Sequence, residues 1–469
     1  MNKYHQVTPA VLTALQAIVG EKYVYTDRDK CIPYECDEGV GKEYIHMPEA
    51  VVLPADAAQT AAIMRLANRE RIPVVPRGAG TGLEFGAVVN EFGGIILSTE
   101  RMNRIVEIDA ERLYMVVEPG VVTAVLQEEA EKQGLLYAGD PCSGDSCCIG
   151  GNAATNAGGN RAVRYGTTRD QIYSIEVVTP TGEITTFGSR LKKVSTGYPL
   201  EKIIIGSEGT LGIITKLTLR LVPLPQHTAH ILAVFPSVDT ALSLVTVLPK
   251  EGIEVTCLEF MDHEVIRVVG QYLDEKQPYA DQNGNYMIIQ LDGKSEADLD
   301  DGCIAVDEVC RQCGAMEVFA ADAAKVWKVR KVFTEASAAE CPVAAMEDFV
   351  VPPDQLKELL DQLQAVGRTQ HISFRGVSHA GDGNLHLDVL RRGFTEEESQ
   401  EKVEAFEDTA YRIVYSLGGR ISGEHGIGQK RKKWLARYTD PVALQLMKAV
   451  KKAFDPNGIL NPGKLFDME

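Results

Sequence analysis

The sequence predicts an α+β fold with two domains and a C-terminal segment, and three observations lead to this expectation. The chain has 469 residues, which is too long for a single hydrophobic core and favours two or three domains. Short β-prone apolar segments alternate with segments of helical periodicity. Three glycine-rich segments interrupt this pattern in the first half. We expect an N-terminal helical segment at 1–45, one domain at 46–224, a second at 225–415 and a C-terminal segment at 416–469.

The first half begins with a helix and continues with strands separated by helices. Thr8 followed by Pro9 is a helix start signal, and apolar residues at helical spacing extend it through 8–20. Further helices are predicted at 55–69 and 121–133. Strands are predicted at the segments AVVLP, IPVVP, GIILST, MVVEPG, SIEVVTP and GEITTFG.

The second half shows the same mixture of elements. Helices are predicted near 237–248, 300–313 and 353–366, and strands at HILAVF, NYMIIQL, MEVFA and MEDFVVP. Thr395 with Glu398 forms a capping box that opens a further helix, and Gly418-Gly419 ends it. The chain closes with ISGEHGIG, a helix begun by Asp440-Pro441, and the tail NPGKLF.

Charge argues against two classes of partner. The net charge is -18, whereas nucleic acid or an anionic membrane surface would need a concentrated basic patch. The run Lys430–Lys433 is the nearest approach to such a patch, and four basic residues are more typical of a solvated helix start. We expect no nucleic-acid partner.

Hydropathy and cysteine usage suggest a location. No stretch approaches the roughly 18 apolar residues that a membrane span needs, and the N-terminus lacks an apolar signal core. Ten irregularly spaced cysteines are typical of free thiols in a reducing compartment. The pair Cys310 and Cys313 is a lone CxxC and weak evidence for a metal or redox site. We therefore expect a cytoplasmic protein without a transmembrane segment or an iron–sulfur cluster of its own.

Two histidines flank a turn at residues 377–388, VSHAGDGNLHLD. Asp382-Gly383 between β-prone flanks is a strong signal for a two-residue hairpin loop, which would pair His379 with His386. Opposed side chains on one sheet face have Cβ atoms roughly 4.5–5.5 Å apart, a suitable separation for two imidazoles on one metal ion. Both histidines could equally be hydrogen-bonded core residues of an ordinary hairpin.

The three glycine-rich segments indicate one long phosphate-bearing ligand. RGAGTG at 77–82 follows a strand but does not open a helix, so it is not a dinucleotide fingerprint of the Rossmann type. Its bare backbone N–H groups would suit a pyrophosphate, although taken alone the loop could equally be a tight turn without a ligand. IGGNAATNAGGN at 149–160 has neither helix nor strand periodicity, and a backbone so bare usually has something packed against it. With IIIGSEGTLGIIT at 203–215, these segments fit flavin adenine dinucleotide (FAD).

RGAGTG, IGGNAATNAGG with the following RYG, and GSEGTLGI resemble, in that order, the FAD domain of flavoproteins of the vanillyl-alcohol-oxidase type. HAGDGNLH, ISGEHGIG and NPGKLF narrow the resemblance to the group of glycolate oxidase catalytic subunits, D-lactate dehydrogenases and D-2-hydroxyglutarate dehydrogenases. The resemblance implies that 46–224 is a two-subdomain FAD-binding domain. It also implies that 225–415 is an α+β substrate or cap domain with a metal-binding hairpin, and that 416–469 returns to the flavin.

The resemblance also implies which residues bind FAD. The first loop would hold the pyrophosphate, the second would line the flavin, and the third would lie near the adenosine. The candidates are Pro76, Arg77, Gly78, Ala79, Gly80, Thr81, Gly82, Pro141, Ser143, Gly150, Gly151, Asn156, Gly158, Tyr165, Gly166, Glu208, Ile213 and Asn461. Relatives with covalent FAD carry a histidine in the first loop, where this chain has Thr81, so dissociable FAD is expected. A thioether link through Cys142, Cys147 or Cys148 is the alternative.

Metal and substrate residues follow from the same resemblance. A divalent ion, Fe2+ or Zn2+ with Mn2+ as a further possibility, would be held by His379, His386 and Glu424, leaving positions open for a 2-hydroxy acid. His425 is the candidate general base for hydride transfer to flavin. Arg330 and Asn384 are the candidate substrate-binding residues, although Arg330 could instead be a solvated helix residue.

Substrate and electron acceptor are less closely defined. Relatives acting on larger substrates carry a basic residue where this chain has Met346, which favours a small monocarboxylate such as D-lactate, oxidised to pyruvate. Glycolate and 2-hydroxyglutarate are the alternatives within the group. Electrons would pass to an electron-transferring flavoprotein or an iron–sulfur subunit. Outside this class, a metallohydrolase with a nucleotide-binding domain and a flavin-binding subunit without activity of its own also remain open.

Overall fold

The computed structural model describes residues 3–468, and within them the chain forms two compact units. The first unit runs to Gly158 and is completed by Thr167–Leu224 and by the chain from Glu424 onward. The second unit consists of Gly159–Gly166 and Pro225–Gly423. The chain therefore leaves the first unit twice, once for a short excursion and once for about two hundred residues.

The chain up to Leu224 contains seven α-helices and eleven short strands among the described residues. Their bounds are α1 (Pro9–Val19), β1 (Val24–Tyr25), α2 (Arg28–Cys31), β2 (Ala50–Val52), α3 (Ala57–Glu70), β3 (Val74–Arg77), β4 (Ile95–Ser98), β5 (Ile105–Asp109), β6 (Tyr114–Val117), α4 (Thr123–Glu131), β7 (Leu135–Leu136), α5 (Ile149–Thr155), α6 (Ala162–Tyr165), β8 (Ile172–Val178), β9 (Ile184–Gly188), α7 (Leu200–Ile204), β10 (Ile213–Arg220) and β11 (Val222–Pro223). Of the helices, α6 belongs to the second unit.

The remaining chain builds the second unit and then returns to the first. The bounds are β12 (His227–Phe235), α8 (Val238–Leu242), α9 (Leu244–Lys250), β13 (Cys257–Met261), α10 (His263–Leu273), β14 (Asn285–Gly293), α11 (Glu296–Gln312), β15 (Glu317–Ala320), α12 (Ala323–Lys331), α13 (Phe333–Glu340), β16 (Val343–Val350), α14 (Leu356–Gln370), β17 (Ser373–His379), β18 (Asn384–Leu390), α15 (Glu396–Ser416), α16 (Lys432–Tyr438) and α17 (Pro441–Phe454). The last two helices lie in the first unit.

The first unit contains two main sheets, each with a core of its own. A four-stranded sheet has the order β1-β2-β4-β3, and a five-stranded sheet has the order β5-β6-β10-β8-β9. Helices α1 and α3 bury their apolar faces on the first sheet, around Leu15, Ile63 and Met64. The second sheet has its own cluster around Leu126, Ile175 and Leu217. Two sheets with separate cores agree with the expectation of two subdomains.

The C-terminal segment is fixed into the first unit by backbone pairing and by one buried charge. Leu460 forms a parallel bridge with Val74 at the start of β3. The buried ammonium of Lys451 donates to the carbonyls of Thr210 and Leu460, at 2.8 and 2.7 Å, and to the carboxylate of Asp455 at 2.6 Å. Three acceptors satisfy the three donors of a lysine. The last segment thus closes against the third glycine-rich loop.

The second unit is built on one seven-stranded sheet of order β15-β12-β14-β13-β17-β18-β16. Every strand pair in it is antiparallel. Helices α10, α12 and α13 cover one face, where Val265, Val329 and Phe333 pack against Met261 and Val377 of the sheet. The α+β fold class is confirmed.

Several helix ends lie where local signals in the sequence predicted them. Thr8 caps α1 through its side chain, and Thr395 forms a reciprocal capping box with Glu398 at the start of α15. Helix α15 ends at Ser416, just before Gly418 adopts positive φ. All ten cysteines are free thiols, as predicted. In the described part of the chain no helix has both the length and the apolar character needed to cross a bilayer.

Two expectations about segments of the first unit were wrong. Residues 149–155 were expected to lack periodic structure but form helix α5, because Ile149 and Ala153 are buried in the core of the five-stranded sheet and fix the helical phase. The run Lys430–Lys433 was expected to be a solvated helix start, but it is not solvated over its whole length. Arg431 is fully buried and forms an ion pair with Glu84 at 3.1 Å, and α16 begins only at Lys432.

Candidate active site

The histidine hairpin has a longer loop than the sequence suggested. His379 pairs with Asn384 and His386 pairs with Val377, so four residues, 380–383, form the loop. A two-residue type I′ loop needs positive φ at both central positions, and only Gly383 has it here. The N–H groups of Asp382 and Gly383 both turn back to the carbonyl of His379, at 3.2 and 3.1 Å. The predicted pairing of His379 with His386 is therefore wrong.

The shift nevertheless leaves both histidines on one face. It amounts to two residues, and side chains on a strand alternate with period two. His379 and His386 become diagonal neighbours whose ring centroids are 5.0 Å apart, with the rings at 89°. The longer loop thus preserves the arrangement for which the hairpin was singled out.

A buried carboxylate orients the first histidine. Glu259 on β13 lies opposite His379 in the sheet register, and its Oε1 is 2.7 Å from His379 Nδ1. The other carboxylate oxygen accepts a hydrogen bond of 2.9 Å from Arg330 Nε. Burial raises the pKa of Glu259, but His379 and Arg330 together outweigh burial and hold this pKa below its usual value. Glu259 is therefore ionised between two cationic or polarised partners.

Arg330 is neither exposed nor solvated. It projects from α12, is buried, and leaves Nη2 without a hydrogen-bond partner among residues 3–468. An unpaired buried N–H group is costly unless a ligand or water satisfies it. Its guanidinium therefore has a donor available for a bound anion beside His379.

A second carboxylate lies behind the other histidine. Asp348 Oδ1 is 3.7 Å from His386 Nδ1 and accepts from Asn384 Nδ2 at 2.8 Å. Its Oδ2 accepts from Ser422 Oγ and from the N–H of Gly423, at 2.8 and 2.9 Å. The amide of Asn384 also donates to the carbonyl of Phe349 at 2.8 Å. Asn384, predicted to bind substrate, thus donates both amide hydrogens to residues of β16.

In the first unit the first glycine loop is held from behind by Arg77. Its guanidinium is buried, donates to the carbonyls of Pro33 and Ala87 at 3.0 and 3.2 Å, and lies over the ring of Tyr34. A Cβ on Gly80, which has φ of 78°, would collide with that guanidinium. Arg77 therefore shapes the loop, and the loop backbone is left for a ligand.

A carboxylate absent from the sequence prediction also faces this loop. Asp37 accepts from the N–H of Gly39 at 3.0 Å, and its other oxygen lies beside Gly82. Burial raises the pKa of Asp37 to about 6, against smaller lowering effects of the Gly39 N–H and Arg77. Close to the first glycine loop the chain thus places a partly buried acid that titrates near neutral pH.

The second glycine segment combines helix α5 with the loop that follows it. Gly78 of the first loop approaches Gly151, and a Cβ at Gly150 would collide with Pro119. Asn156 ends α5 in the left-handed conformation with φ of 57°. Small residues are needed here because two backbones meet closely.

The same segment reaches the predicted metal ligand of the first unit. The N–H of Gly158 donates to Glu424 Oε2 at 3.0 Å. A Cβ on Gly158 would lie 2.8 Å from that oxygen, so only glycine fits without displacing the carboxylate. Glu424 follows Gly423 directly in the chain and is half-buried, as is His425.

Glu208 of the third glycine segment holds the segment that carries Glu424 and His425. Its buried carboxylate accepts hydrogen bonds of 2.7 Å from the N–H groups of both Ile427 and Gly428. Its backbone carbonyl accepts from Asn461 Nδ2 at 2.7 Å. Glu208 and Asn461, both predicted to bind cofactor, thus direct these groups into protein contacts.

The other predicted cofactor residues are spread over several elements. Ile213 is a buried residue at the start of β10, and Pro76 belongs to β3. Pro141 and Ser143 lie in the turn after β7, where Pro141 accepts from the N–H of Gly144 at 2.8 Å. Tyr165 and Gly166 belong to the second unit, where Tyr165 Oη donates to Asp292 at 3.3 Å. Ala79 and Thr81 lie in the first loop.

Sequence reasoning missed the two carboxylates behind the histidines. Glu259 is 120 residues from His379, so no local pattern links them. A signal for Asp348 was available, because Glu347 and Asp348 follow Met346 directly in the chain. Charged residues inside an otherwise apolar strand are rarely buried without a partner, and this could have marked both acids.

Comparison with known proteins identifies the family. Residues 48–188 match a family described as "FAD binding domain", and residues 224–465 match one described as "FAD linked oxidases, C-terminal domain". The chain is 36% identical to a D-lactate dehydrogenase of Anaerostipes hadrus over 99% of this chain and 98% of that protein. It is 34% identical to glycolate oxidase subunit GlcD of Bacillus subtilis over 90% of each, and 32% identical to a D-2-hydroxyglutarate dehydrogenase of Stutzerimonas stutzeri over 98% and 99%.

Solved structures agree with the fold. p-Cresol methylhydroxylase with substrate bound superposes with a TM-score of 0.81 at 18% identity, covering 97% of this chain and 96% of that one. The architecture of the vanillyl-alcohol-oxidase-type flavoproteins is therefore confirmed. The chain belongs to the FAD-linked oxidases, in the group that contains glycolate oxidase subunits, D-lactate dehydrogenases and D-2-hydroxyglutarate dehydrogenases.

Proposed function

We propose that this FAD-linked oxidoreductase oxidises a small D-2-hydroxy acid, D-lactate in the first instance, to the 2-oxo acid. The observation that carries the proposal is the relay in which Arg330 and His379 share the carboxylate of Glu259. It leaves the Nη2 donor of Arg330 for a ligand. A 2-hydroxy acid offers its carboxylate to that donor, and its hydroxyl would be bound and deprotonated beside His379.

A divalent metal ion fits the donor set. Metal-binding histidines commonly donate the second ring N–H to a carboxylate, as Nδ1 of His379 can to Glu259 at 2.7 Å, and the carboxylate of Asp348 lies 3.7 Å from Nδ1 of His386. We propose Glu424 as the third ligand, since the preceding Gly423 is hydrogen-bonded to Asp348. Two imidazoles and a carboxylate suit Zn2+, Fe2+ or Mn2+. Such an ion would make the substrate hydroxyl more acidic.

Side chains and FAD would carry out substrate binding, proton removal and hydride transfer. Arg330 would hold the substrate carboxylate and fix the direction of the C2–H bond. His425 would take the hydroxyl proton while the hydride leaves C2. When bound, FAD supplies the acceptor for that hydride. Two protons and two electrons thus leave each molecule of 2-hydroxy acid, and the electrons pass on to an acceptor protein.

The side chains next to His386 in the sheet, in the row of paired residues that contains Asp388, favour a substrate without a second carboxylate. Met346 on β16 and Arg375 on β17 flank Asp388 in that row. Arg375 is buried and already forms an ion pair with Glu340. A distal carboxylate would meet Met346 and Asp388, whereas the methyl group of lactate would meet no charge.

We also propose that FAD is held without a covalent bond. Thr81 occupies the loop position at which relatives with covalent FAD carry a histidine. Burial raises the pKa of Cys148 to about 11, so this thiol is a poor nucleophile. Acid precipitation should release the yellow flavin into the supernatant, and flavin retained in the pellet would contradict this part of the proposal.

An anaerobic spectrum of the holoprotein tests the activity. D-Lactate should bleach the absorption band of the flavin within seconds of mixing, and L-lactate should leave it unchanged. Glycolate and D-2-hydroxyglutarate should bleach it more slowly than D-lactate. Bleaching by D-2-hydroxyglutarate alone would assign the dicarboxylate as substrate instead. Failure of all four acids to reduce the flavin, with dithionite reducing it normally, would reject the oxidation altogether.

A further inference from the structure

One segment of the first unit is exposed along its whole length. It comprises residues 190–199, RLKKVSTGYP, between strand β9 and helix α7, and every residue in it is exposed. We call it the 190–199 loop. Its three large apolar side chains are among the most exposed of the protein: Leu191 is 70%, Val194 59% and Tyr198 87% accessible. Single exposed apolar residues are ordinary, but three within eight residues are typical of a contact surface.

The same loop is strongly basic in a strongly acidic chain. Arg190, Lys192 and Lys193 are its only charged residues, and no aspartate or glutamate interrupts it. Lys192 and Lys193 form no salt bridge with any residue in the described part of the chain, and Arg190 lies over the ring of Tyr114, 4.0 Å from its centroid. Three exposed cations, one of them stacked on Tyr114, thus lie together on a protein whose net charge is -18.

The surface continues onto the elements at both ends of the loop. Strand β9 is an edge strand of the five-stranded sheet, and its Ile184 is 46% accessible. Ile203 on α7 is 39% accessible. An open edge strand with apolar and basic side chains beside it can be covered by another protein.

We propose that the 190–199 loop is the docking site for an acidic electron-carrier protein. This inference rests on the proposed function, because it assigns a place to the acceptor that the oxidation requires. Complementary charge speeds encounter with an acidic partner, and the apolar side chains with Tyr198 provide the central contact. A small patch of this kind is typical of transient electron-transfer complexes, which bury less than about 1,200 Å² in total.

Charge also selects against two other occupants. A second copy of the chain related by a two-fold axis would bring its own three cations against these three, which is unfavourable. An anionic bilayer extends beyond the patch and would meet the acidic remainder of the protein surface. A carrier protein covers the patch alone and avoids both penalties.

The electron balance is simple. Oxidation of one 2-hydroxy acid releases two electrons and two protons. The electrons reduce one two-electron carrier, such as an electron-transferring flavoprotein or a flavodoxin, or two one-electron carriers of the ferredoxin class. The protons pass to the reduced carrier or to solvent.

The test compares two charge reversals of equal size in the FAD-loaded protein. The first is Arg190→Glu/Lys192→Glu/Lys193→Glu. The control is Lys250→Glu/Lys294→Glu/Lys325→Glu, three exposed lysines of the second unit. The probes are a purified electron-transferring flavoprotein, a flavodoxin and a [2Fe–2S] ferredoxin. Binding of each oxidised carrier and its reduction with D-lactate are measured across a range of salt concentrations, beside reduction of a small dye.

The loop reversal should weaken binding and slow reduction of at least one carrier tenfold or more, and flatten the salt dependence. The control reversal should change both less than about threefold, and dye reduction should stay within twofold in all proteins. A second variant, Leu191→Ser/Tyr198→Ser, should slow the carrier reaction without altering its salt dependence.

Several results would overturn the proposal. One is that the wild-type protein binds and reduces none of the three carriers. Another is that the loop and control variants lose carrier binding and reduction equally, and a third is that the loop variant behaves as wild type. Capture of the wild-type protein by vesicles of anionic phospholipid, abolished by the loop reversal while the carriers are unaffected, would reassign the loop to a bilayer. Absent dye reduction with intact carrier binding would instead count against the oxidation proposed above and leave the docking site supported.

Discussion

The carboxylate of Glu208 and the backbone N–H of Ile427 are joined by a buried hydrogen bond of 2.7 Å across 219 residues of sequence. A second hydrogen bond of 2.7 Å joins the same carboxylate to Gly428. Glu208 itself has φ of 52°, a conformation that few residues other than glycine adopt. One side chain therefore fixes the segment that carries Glu424 and His425 to the third glycine-rich loop.

Replacing Glu208 by glutamine should lower the free energy of unfolding by about 1–3 kcal/mol. The amide keeps one acceptor but turns an N–H group toward a backbone N–H, and a buried donor without an acceptor costs roughly 1–3 kcal/mol. Urea denaturation of the FAD-free protein measures the change. Glu131→Gln, on the exposed side of α4, is the matched control and should change the value by less than about 0.5 kcal/mol. Equal effects of the two substitutions would show that the two hydrogen bonds contribute nothing.

Glu259→Gln should weaken metal binding about 10- to 100-fold, because the carboxylate orients His379 and raises its basicity. Titration of the metal-free protein with Zn2+ or Mn2+ gives the dissociation constant. Glu254→Gln, an exposed neighbour on the same chain segment, should leave it unchanged. An unaltered constant in Glu259→Gln would mean that His379 is not a ligand.

His425→Ala should lower the rate of flavin reduction by D-lactate by a factor of about 10²–10⁴, the usual contribution of a positioned base. Bound FAD and metal should remain at the wild-type ratio, which separates a loss of proton transfer from a loss of the site. Stopped-flow absorbance gives the rate. His46→Ala, a half-buried histidine of the same unit, serves as control. A rate within threefold of wild type would remove His425 from the mechanism.

Asp37→Asn should stabilise the FAD-free protein above neutral pH and have little effect near pH 4. The pKa of Asp37 is about 6 in the folded state, raised from 3.8 mainly by burial. The stabilisation that its proton provides is therefore complete below pH 3.8 and is lost as pH rises through 6. Asparagine never ionises, so the variant should gain about 2 kcal/mol at pH 8.

Urea denaturation between pH 4.5 and 8 measures this difference, with the exposed Asp29→Asn as control. A difference between Asp37→Asn and wild type that stays constant across the range would contradict the raised pKa. One that grows toward low pH would reverse its sign and show that the folded protein favours the ionised carboxylate.

Much of the structure follows from short-range patterns. The capped starts of α1 and α15 depend on a side chain and a backbone N–H three residues apart, so both were predictable from the sequence. The three glycine-rich segments were recognisable because bare backbone is unusual over such lengths. The six ordered motifs then indicated the family, which the comparisons confirm.

Contacts between distant segments were not predictable in this way. The hairpin loop appeared to be two residues long from its Asp-Gly pair, yet pairing with β13 and β16 on either side decides the register and makes it four. Arg431 looked solvated within a basic run, and only its buried partner Glu84, almost 350 residues earlier, explains its place.

The sequence by itself determined the fold class and the FAD-linked family and singled out the two hairpin histidines as candidates, because these depend on residue types and local spacing. Only the tertiary structure decided which carboxylates lie behind those histidines, which arginine has a donor to spare, and which basic residues stay exposed. The reason is physical: the state of a charged side chain depends on its burial and on partners from other strands, and a linear pattern records neither.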